Sequence, residues 1–205
     1  MILRSKNFER WFRVFVHVGS LLPLAVLIFD AWRGNLTADP IRGAILRTGK
    51  IALVLLVLCL ACTPLNSIFG FKPALKVRRA LGDYSFLYAS LHFAIYVGLD
   101  YGFNLSFLSS DIVRPYALVG LIAGILLVPL AITSFGRWQQ RLGKNWKRLH
   151  SMIYLIAALV ALHFVLLVKQ GVVEPWLWSI LIALLLMVRL PPIRRFLSGF
   201  FTHAE

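Results

Sequence analysis

The chain has 205 residues, 60% of them hydrophobic and only 15% charged, and a mean hydropathy of +0.80. A soluble domain is nearer half apolar and a quarter charged, so composition excludes that class and reads as a polytopic membrane protein. The 22 Lys+Arg outweigh 8 Asp+Glu for a net charge of +14, but the basic residues cluster in short segments between long apolar runs, the mark of a cytoplasmic membrane side rather than of a nucleic-acid surface.

A crossing helix needs about 20 mostly apolar residues. In chain order the predicted spans are Phe12 to Phe29, Ala44 to Cys62, Leu81 to Leu99, Tyr116 to Phe135, Leu149 to Val168, and Pro175 to Val188 with some extension. The expected fold is all-α, a six-helix transmembrane bundle forming one domain over residues 1–205. The first run follows a basic tail (Arg4, Lys6, Arg10) as in a signal peptide. Its apolar core is too long for one and no small-residue cleavage site follows, so it reads as a retained helix.

Six spans place both termini on one side, together with the segments Lys72 to Arg79 and Arg137 to Arg148. About 16 of the 22 basic residues, Arg4, Arg189, Arg194 and Arg195 among them, fall there, so that side is expected to be cytoplasmic. The other side holds Arg33, Arg42, Arg47, Lys50, Arg114 and Lys169 against Asp30, Asp39, Asp100, Asp111 and Glu174, and is nearly neutral. No Gly-rich nucleotide fingerprint follows a strand and no soluble domain is expected, which argues against NADPH bound in a Rossmann fold. Pro23 and Pro129 interrupt spans, but no internal repeat stands out.

Ionisable residues inside a bilayer are costly and mark function, which directs attention to the histidines. His17, His92, His150 and His163 lie in or at the ends of spans; His203 lies in the C-terminal tail and is expected to be solvated. Intramembrane acids are scarce, with Asp83 at a span end, which weakens a proton-relay or ion-transport reading. Neutral imidazole is a good axial ligand for haem iron, and a porphyrin between helices needs one histidine from each of two facing spans. At about 1.5 Å rise per residue, His92 lies roughly 17 Å from a start at Leu81 and His163 roughly 21 Å from one at Leu149. The two can face one another.

His150 lies about 20 Å from His163 on the same predicted helix, a spacing suited to a second haem, but about 140° around it. The third span has no second histidine: Arg78 stands fourteen residues before His92, leaving His17 as the other candidate. The alternative for each histidine is a hydrogen bond across a helix interface. Cys59 and Cys62 form a C-x-x-C in an apolar run without the strand context of a redox motif. Tyr88 and Tyr96 flank His92 at i−4 and i+4, where core packing is the simpler role. Arg78, Arg79, Lys144, Lys147 and Arg148 form a basic rim, open either to anionic lipid or to haem propionates, a flavin phosphate or a quinone headgroup, with Trp146 as a stacking surface. Arg13 and His17, one turn apart, can join that rim.

Several short motifs recur in order: His-Val-Gly-Ser-Leu-Leu-Pro at 17 to 23, Ala-Asp-Pro at 38 to 40, Thr-Pro-Leu at 63 to 65, and Arg-Arg-Ala-Leu-Gly at 78 to 82. Ser-Leu-His at 90 to 92, Arg-Pro-Tyr at 114 to 116, Leu-Gly-Lys-Asn-Trp-Lys-Arg-Leu-His at 142 to 150, and His163 follow. In these the chain resembles, over nearly its whole length, the MsrQ (YedZ) family, haem-binding membrane subunits of the periplasmic methionine-sulfoxide reductase system within the ferric-reductase-like transmembrane group. The resemblance implies a multi-pass protein of the bacterial inner membrane carrying haem b, with FMN also attributed to the subunit. It implies electrons taken from the quinone pool and passed to a periplasmic molybdenum-containing reductase that repairs methionine sulfoxide. It makes His92 and His163 haem ligands, and His150 a further ligand or a neighbour of a second cofactor. Larger ferric reductases carry another third-span histidine and a dehydrogenase domain, so one haem and an external electron source are expected here. The competing readings are a stand-alone ferric or metal reductase and a cofactor-free scaffold or transporter.

Overall fold

The computed structural model describes residues 6–168 and 171–189. Arg4, Lys169, Arg194, Arg195 and His203 lie outside the described residues. Among the described residues every regular element is a helix: α1 Lys6–Arg33, α2 Pro40–Phe69, α3 Pro73–Ile95 continued by a π-helical turn Tyr96–Asp100, α4 Leu105–Ile112, α5 Pro115–Ile132, α6 Gly136–Leu142, α7 Lys144–His150, α8 Ile153–Leu167 and α9 Glu174–Met187.

Local chemistry sets the boundaries. The Asp39 carboxylate accepts the Arg42 N–H at 3.0 Å to cap α2, and Pro40, which has no N–H to lose, occupies the first turn. Gly70 ends the helix in the left-handed region at φ 62°, its N–H returning to the Asn66 carbonyl. Within α1, Pro23 removes a backbone donor; beside that interruption the Tyr88 hydroxyl donates to the Ser20 carbonyl at 2.7 Å, fastening α3 to α1.

The long helices alternate in direction. Lys76 with Glu9 and Asp83 with Ser134 join the start of α3 to the start of α1 and to the chain just past α5. At the other end Arg47 pairs with Asp30 and Lys50 with Glu174, tying α2 to α1 and α9. The first of these ends collects Lys72, Lys76, Arg78, Arg79, Arg137, Arg141 and Lys144 and is the basic end of the molecule.

Helix α2 is central. Ala52, Leu55 and Cys62 pack with Val77, Leu81 and Tyr88 of α3, while Leu53, Leu56, Val57 and Leu60 pack with Ala157 of α8 and Ile182 of α9. Leu127 and Leu130 of α5 close on Ile156 of α8 and reach Phe86 and Ala89 of α3. Phe15, Ile28, Ile125, Leu155 and Ile180 are exposed around this core, the apolar outside expected of a protein solvated by lipid.

Four stretches, α1, α2, α5 and the α7–α8 run, are long and apolar enough to cross a membrane, and the shorter α9 is apolar. The chain is a multi-pass membrane protein. The expected third span differs from these four because Lys76, Arg78, Arg79 and Asp83 occupy the first half of α3, and its apolar stretch begins at Tyr84 and runs on through the π turn. The expected fifth span is broken at Ser151 and Met152, which separate α7 from α8.

Candidate functional site

His92 and His163 come together toward the end opposite the basic one, level with the starts of α2 and α5. Their ring centroids are 6.4 Å apart with planes at 83°. Each ring is held from behind by a backbone carbonyl: His92 Nδ1 bonds Ile45 O of α2 at 2.9 Å, and His163 Nδ1 bonds Tyr116 O of α5 at 2.7 Å. A carbonyl only accepts, so both Nδ1 atoms carry the proton and both Nε2 atoms keep a free lone pair, the tautomer a metal-ligating histidine needs.

The rings reach those carbonyls because two helix positions lack a side chain. A Cβ at Gly49 would sit 3.0 Å from His92 Nδ1, and one at Gly120 would sit 2.7 Å from His163 Nδ1. In each case the glycine stands four residues after the accepting carbonyl, so the imidazole lies along one turn of the neighbouring helix.

This arrangement occurs twice. Residues 45, 49 and 92 recur as 116, 120 and 163, each 71 positions on, and both histidines stand 47 residues beyond their carbonyl. The α2–α3 and α5–α8 pairs thus hold their histidines in the same way.

Two imidazoles at this separation suit one metal ion. With metal–imidazole bonds of roughly 2.0–2.1 Å, axial ligation from both sides puts the ring centroids about 6.3 Å apart. Among the described residues no group of three or more His, Cys, Asp or Glu converges. Two nitrogens are thus what the chain offers here, a donor set complete for a metal whose remaining ligands come from a macrocycle.

The other candidates lie nearer the basic end and do not join this pair. His150 stacks on Trp146 with centroids 4.1 Å apart at 27°, and its Nε2 lies 3.1 Å from Thr133 Oγ1. The Thr133 hydroxyl proton is taken by Pro129 O at 2.6 Å, so the imidazole donates and Nε2 is engaged. Trp146 Nε1 donates to Thr133 O at 2.9 Å, completing a closed Thr133–His150–Trp146 nook. His17 bonds the Tyr84 hydroxyl at 2.9 Å, two turns before His92 on α3. Arg78 reaches Thr63 Oγ1 at 3.3 Å, while Arg79 pairs with Asp83 and lies over the Phe135 ring. Arg13 and Arg148 are exposed. Cys59 and Cys62 donate to two different carbonyls, Arg78 O and Leu58 O. Tyr88 is buried, as core packing requires.

Sequence reasoning missed a second cluster, at the end opposite the basic one. Asp111 of α4 is buried and accepts the Tyr96 hydroxyl at 2.6 Å, the Tyr116 hydroxyl at 3.1 Å and Arg114 Nε at 2.7 Å. Burial pushes its carboxyl up, but the hydroxyls of Tyr96, Tyr101 and Tyr116 and the Arg114 guanidinium together hold it below its ordinary value. The Arg-Pro-Tyr motif was visible, but its link to a loop aspartate was not.

A bundle of apolar helices with a pair of carbonyl-anchored imidazoles defines a multi-pass membrane protein with a candidate two-histidine ligand site. A family profile described as "Ferric reductase like transmembrane component" matches residues 48–162, from within α2 to within α8. Similar proteins include the methionine-sulfoxide reductase haem-binding subunits MsrQ of Xanthomonas euvesicatoria pv. vesicatoria, 43% identical over 85% of this chain and 83% of the relative, and of Rhodospirillum rubrum, 40% identical over 95% of each. The subunit of Xanthomonas campestris pv. campestris strain 8004 is 45% identical over 83% of this chain and 82% of its own. The chain belongs to the MsrQ family within the ferric-reductase-like transmembrane group. No solved structure matches it.

Proposed function

We propose that this protein is a haem b electron conduit of the bacterial inner membrane, with His92 and His163 as the axial ligands of one haem. The observation that carries this reading is the His92–His163 pair, 6.4 Å apart with each Nδ1 tied to a carbonyl and each Nε2 free. The relatives' description as haem-binding subunits agrees with it. Haem would supply a one-electron couple at that pair.

In this reading α1, α2, α3, α5, α7–α8 and α9 form a six-span bundle with both termini cytoplasmic, the basic end facing the cytoplasm as the positive-inside rule requires. The charges of early α3 then lie at the interface, and the apolar run from Tyr84 through the π turn crosses the membrane. Electrons enter from the quinone pool and leave on the Asp111 side to a periplasmic molybdenum-containing methionine-sulfoxide reductase. At the cytoplasmic end Arg78, Arg79 and Arg148 supply cations for an FMN phosphate or a quinone headgroup, with Trp146, His150 and His17 as its aromatic walls. The family profile's own description favours one second reading, a stand-alone metal reductase using the same path to reduce ferric chelates.

The test is His92→Ala and His163→Ala in full-length protein purified in detergent. Each is expected to lose haem while the helical content is kept. Stoichiometric haem in both would remove the assignment.

A further inference from the structure

The ligand pair leaves one buried charged group unused. Asp111 stands at the end of a short helix outside the long ones, and α4 does not need it as a cap, since Asn104 accepts the Ser106 and Phe107 N–H groups. Instead its contacts run inward. Tyr96, which donates to it at 2.6 Å, is one turn beyond His92 on the same rod, where the π-helical turn begins. Tyr116 donates its hydroxyl to Asp111 and lends its carbonyl to His163 Nδ1. Tyr101 packs on Tyr96 with centroids 5.0 Å apart, closing the cluster. One carboxylate is thus connected to both ligand histidines, to His92 along its helix and to His163 through a single residue.

Charge complements this geometry. The carboxylate is buried, whereas the cation that answers it, Arg114, is largely exposed, with side-chain exposures of 7% and 64%. Solvent screens the exposed charge far more than the buried one. A net negative field therefore remains on the inward side of the cluster, and such a field favours the oxidised, more positive state of a metal centre.

We propose that Asp111 is a positioning residue for the His92–His163 pair and the fixed negative charge that lowers the potential of the redox centre they hold, making it a stronger reductant toward the face where Asp111 lies. This rests on the haem reading above. It assigns the tyrosine cluster a role in setting the driving force for electron exit, beyond closing the end of the bundle.

The experiment is a redox titration of haem-loaded full-length protein, wild type against Asp111→Asn and Arg114→Gln, with haem per chain and the low-spin spectrum recorded for each. A unit charge on the order of 10 Å from a redox centre in a poorly screened interior changes the oxidised-to-reduced ratio about tenfold, which is about 59 mV for a one-electron couple. Asp111→Asn keeps an acceptor for the tyrosines and removes the charge, so the potential is expected to rise by about that amount. Arg114→Gln removes the opposing charge and is expected to lower the potential by less, because that cation is exposed. Opposite signs are the signature, since a purely structural role moves both variants the same way or neither. If Asp111→Asn does not fold, Arg114→Gln decides alone, a fall supporting the assignment and an unchanged potential overturning it. A haem-loaded wild type indifferent to both substitutions would overturn the inference and leave the ligands standing. A wild type that takes up no haem would overturn the haem reading and this inference together.

Discussion

Adding one methyl group at Gly120 should dismantle half of the ligand pair. The new Cβ would lie 2.7 Å from His163 Nδ1 and 2.8 Å from Cε1, closer than real Cβ contacts come. The ring cannot swing away freely, because that Nδ1 holds the Tyr116 carbonyl at 2.7 Å. Either the hydrogen bond breaks, stranding a buried N–H at about 1–3 kcal/mol, or α5 and α8 part. Loss of such an outer-shell partner typically costs about 10–100-fold in metal affinity. Helix propensity works in the opposite direction, since alanine for glycine in a helix interior gains about 1 kcal/mol. Gly124 provides the control, on the same helix with nothing within 4 Å of its added Cβ. Gly120→Ala is therefore expected to retain 10–100-fold less haem in a competition against apomyoglobin, while Gly124→Ala keeps wild-type haem. Gly49→Ala, with its contact at 3.0 Å, should move the same way by less. A Gly120→Ala protein with the haem retention and low-spin spectrum of Gly124→Ala would refute the reasoning.

Thr133→Val releases His150 Nε2 but touches neither ligand, so haem per chain is expected to be unchanged in the pyridine haemochrome assay; a large loss would move His150 into the ligand set. Because Cys59 and Cys62 donate to separate carbonyls, the double substitution to serine should leave the redox titration of the haem superimposable on wild type, and a shifted or additional wave would argue for a redox role. Asp111 has a folded-state pKa below its ordinary 3.8, so its stabilisation is fully present above that value and is lost as pH falls through the folded one. In thermal melts the stability gap between wild type and Asp111→Asn should be constant from pH 7 to about 5 and close below about pH 4. A gap that widens on acidification would reverse the sign.

Membrane class and helix positions could be read from the chain because lipid demands long apolar runs, and α1, α2, α5 and α8 overlie the predicted spans. The third span was harder, since α3 carries four charges before its apolar half and finishes in a π turn rather than a helix end. Depth along the spans suggested that His92 and His163 could face one another, and their rings lie 6.4 Å apart because the two helices leave the same end of the bundle. Depth says nothing about what lies behind each ring, so the Ile45 and Tyr116 carbonyls and the two glycines went unnoticed. The 71-residue offset of Gly49 and His92 to Gly120 and His163 was present in the sequence, but the carbonyls that give it meaning were not. The spacing of His150 from His163 suited a second haem, but it could not show the nook of Thr133 and Trp146 in which the ring sits. Asp111 had looked like one more loop acid balancing outward charge. Three tyrosines converge on it from the π-helical turn, the following loop and α5, a convergence with no local signature.

The most direct single measurement is the reduced-minus-oxidised optical spectrum of detergent-purified protein, with haem quantified per polypeptide. One low-spin b-type haem per chain is expected, since two imidazoles whose Nδ1 atoms are engaged by carbonyls meet at one place among the described residues. A colourless protein after expression with haem precursor would contradict the central claim and return the histidines to helix-interface hydrogen bonding.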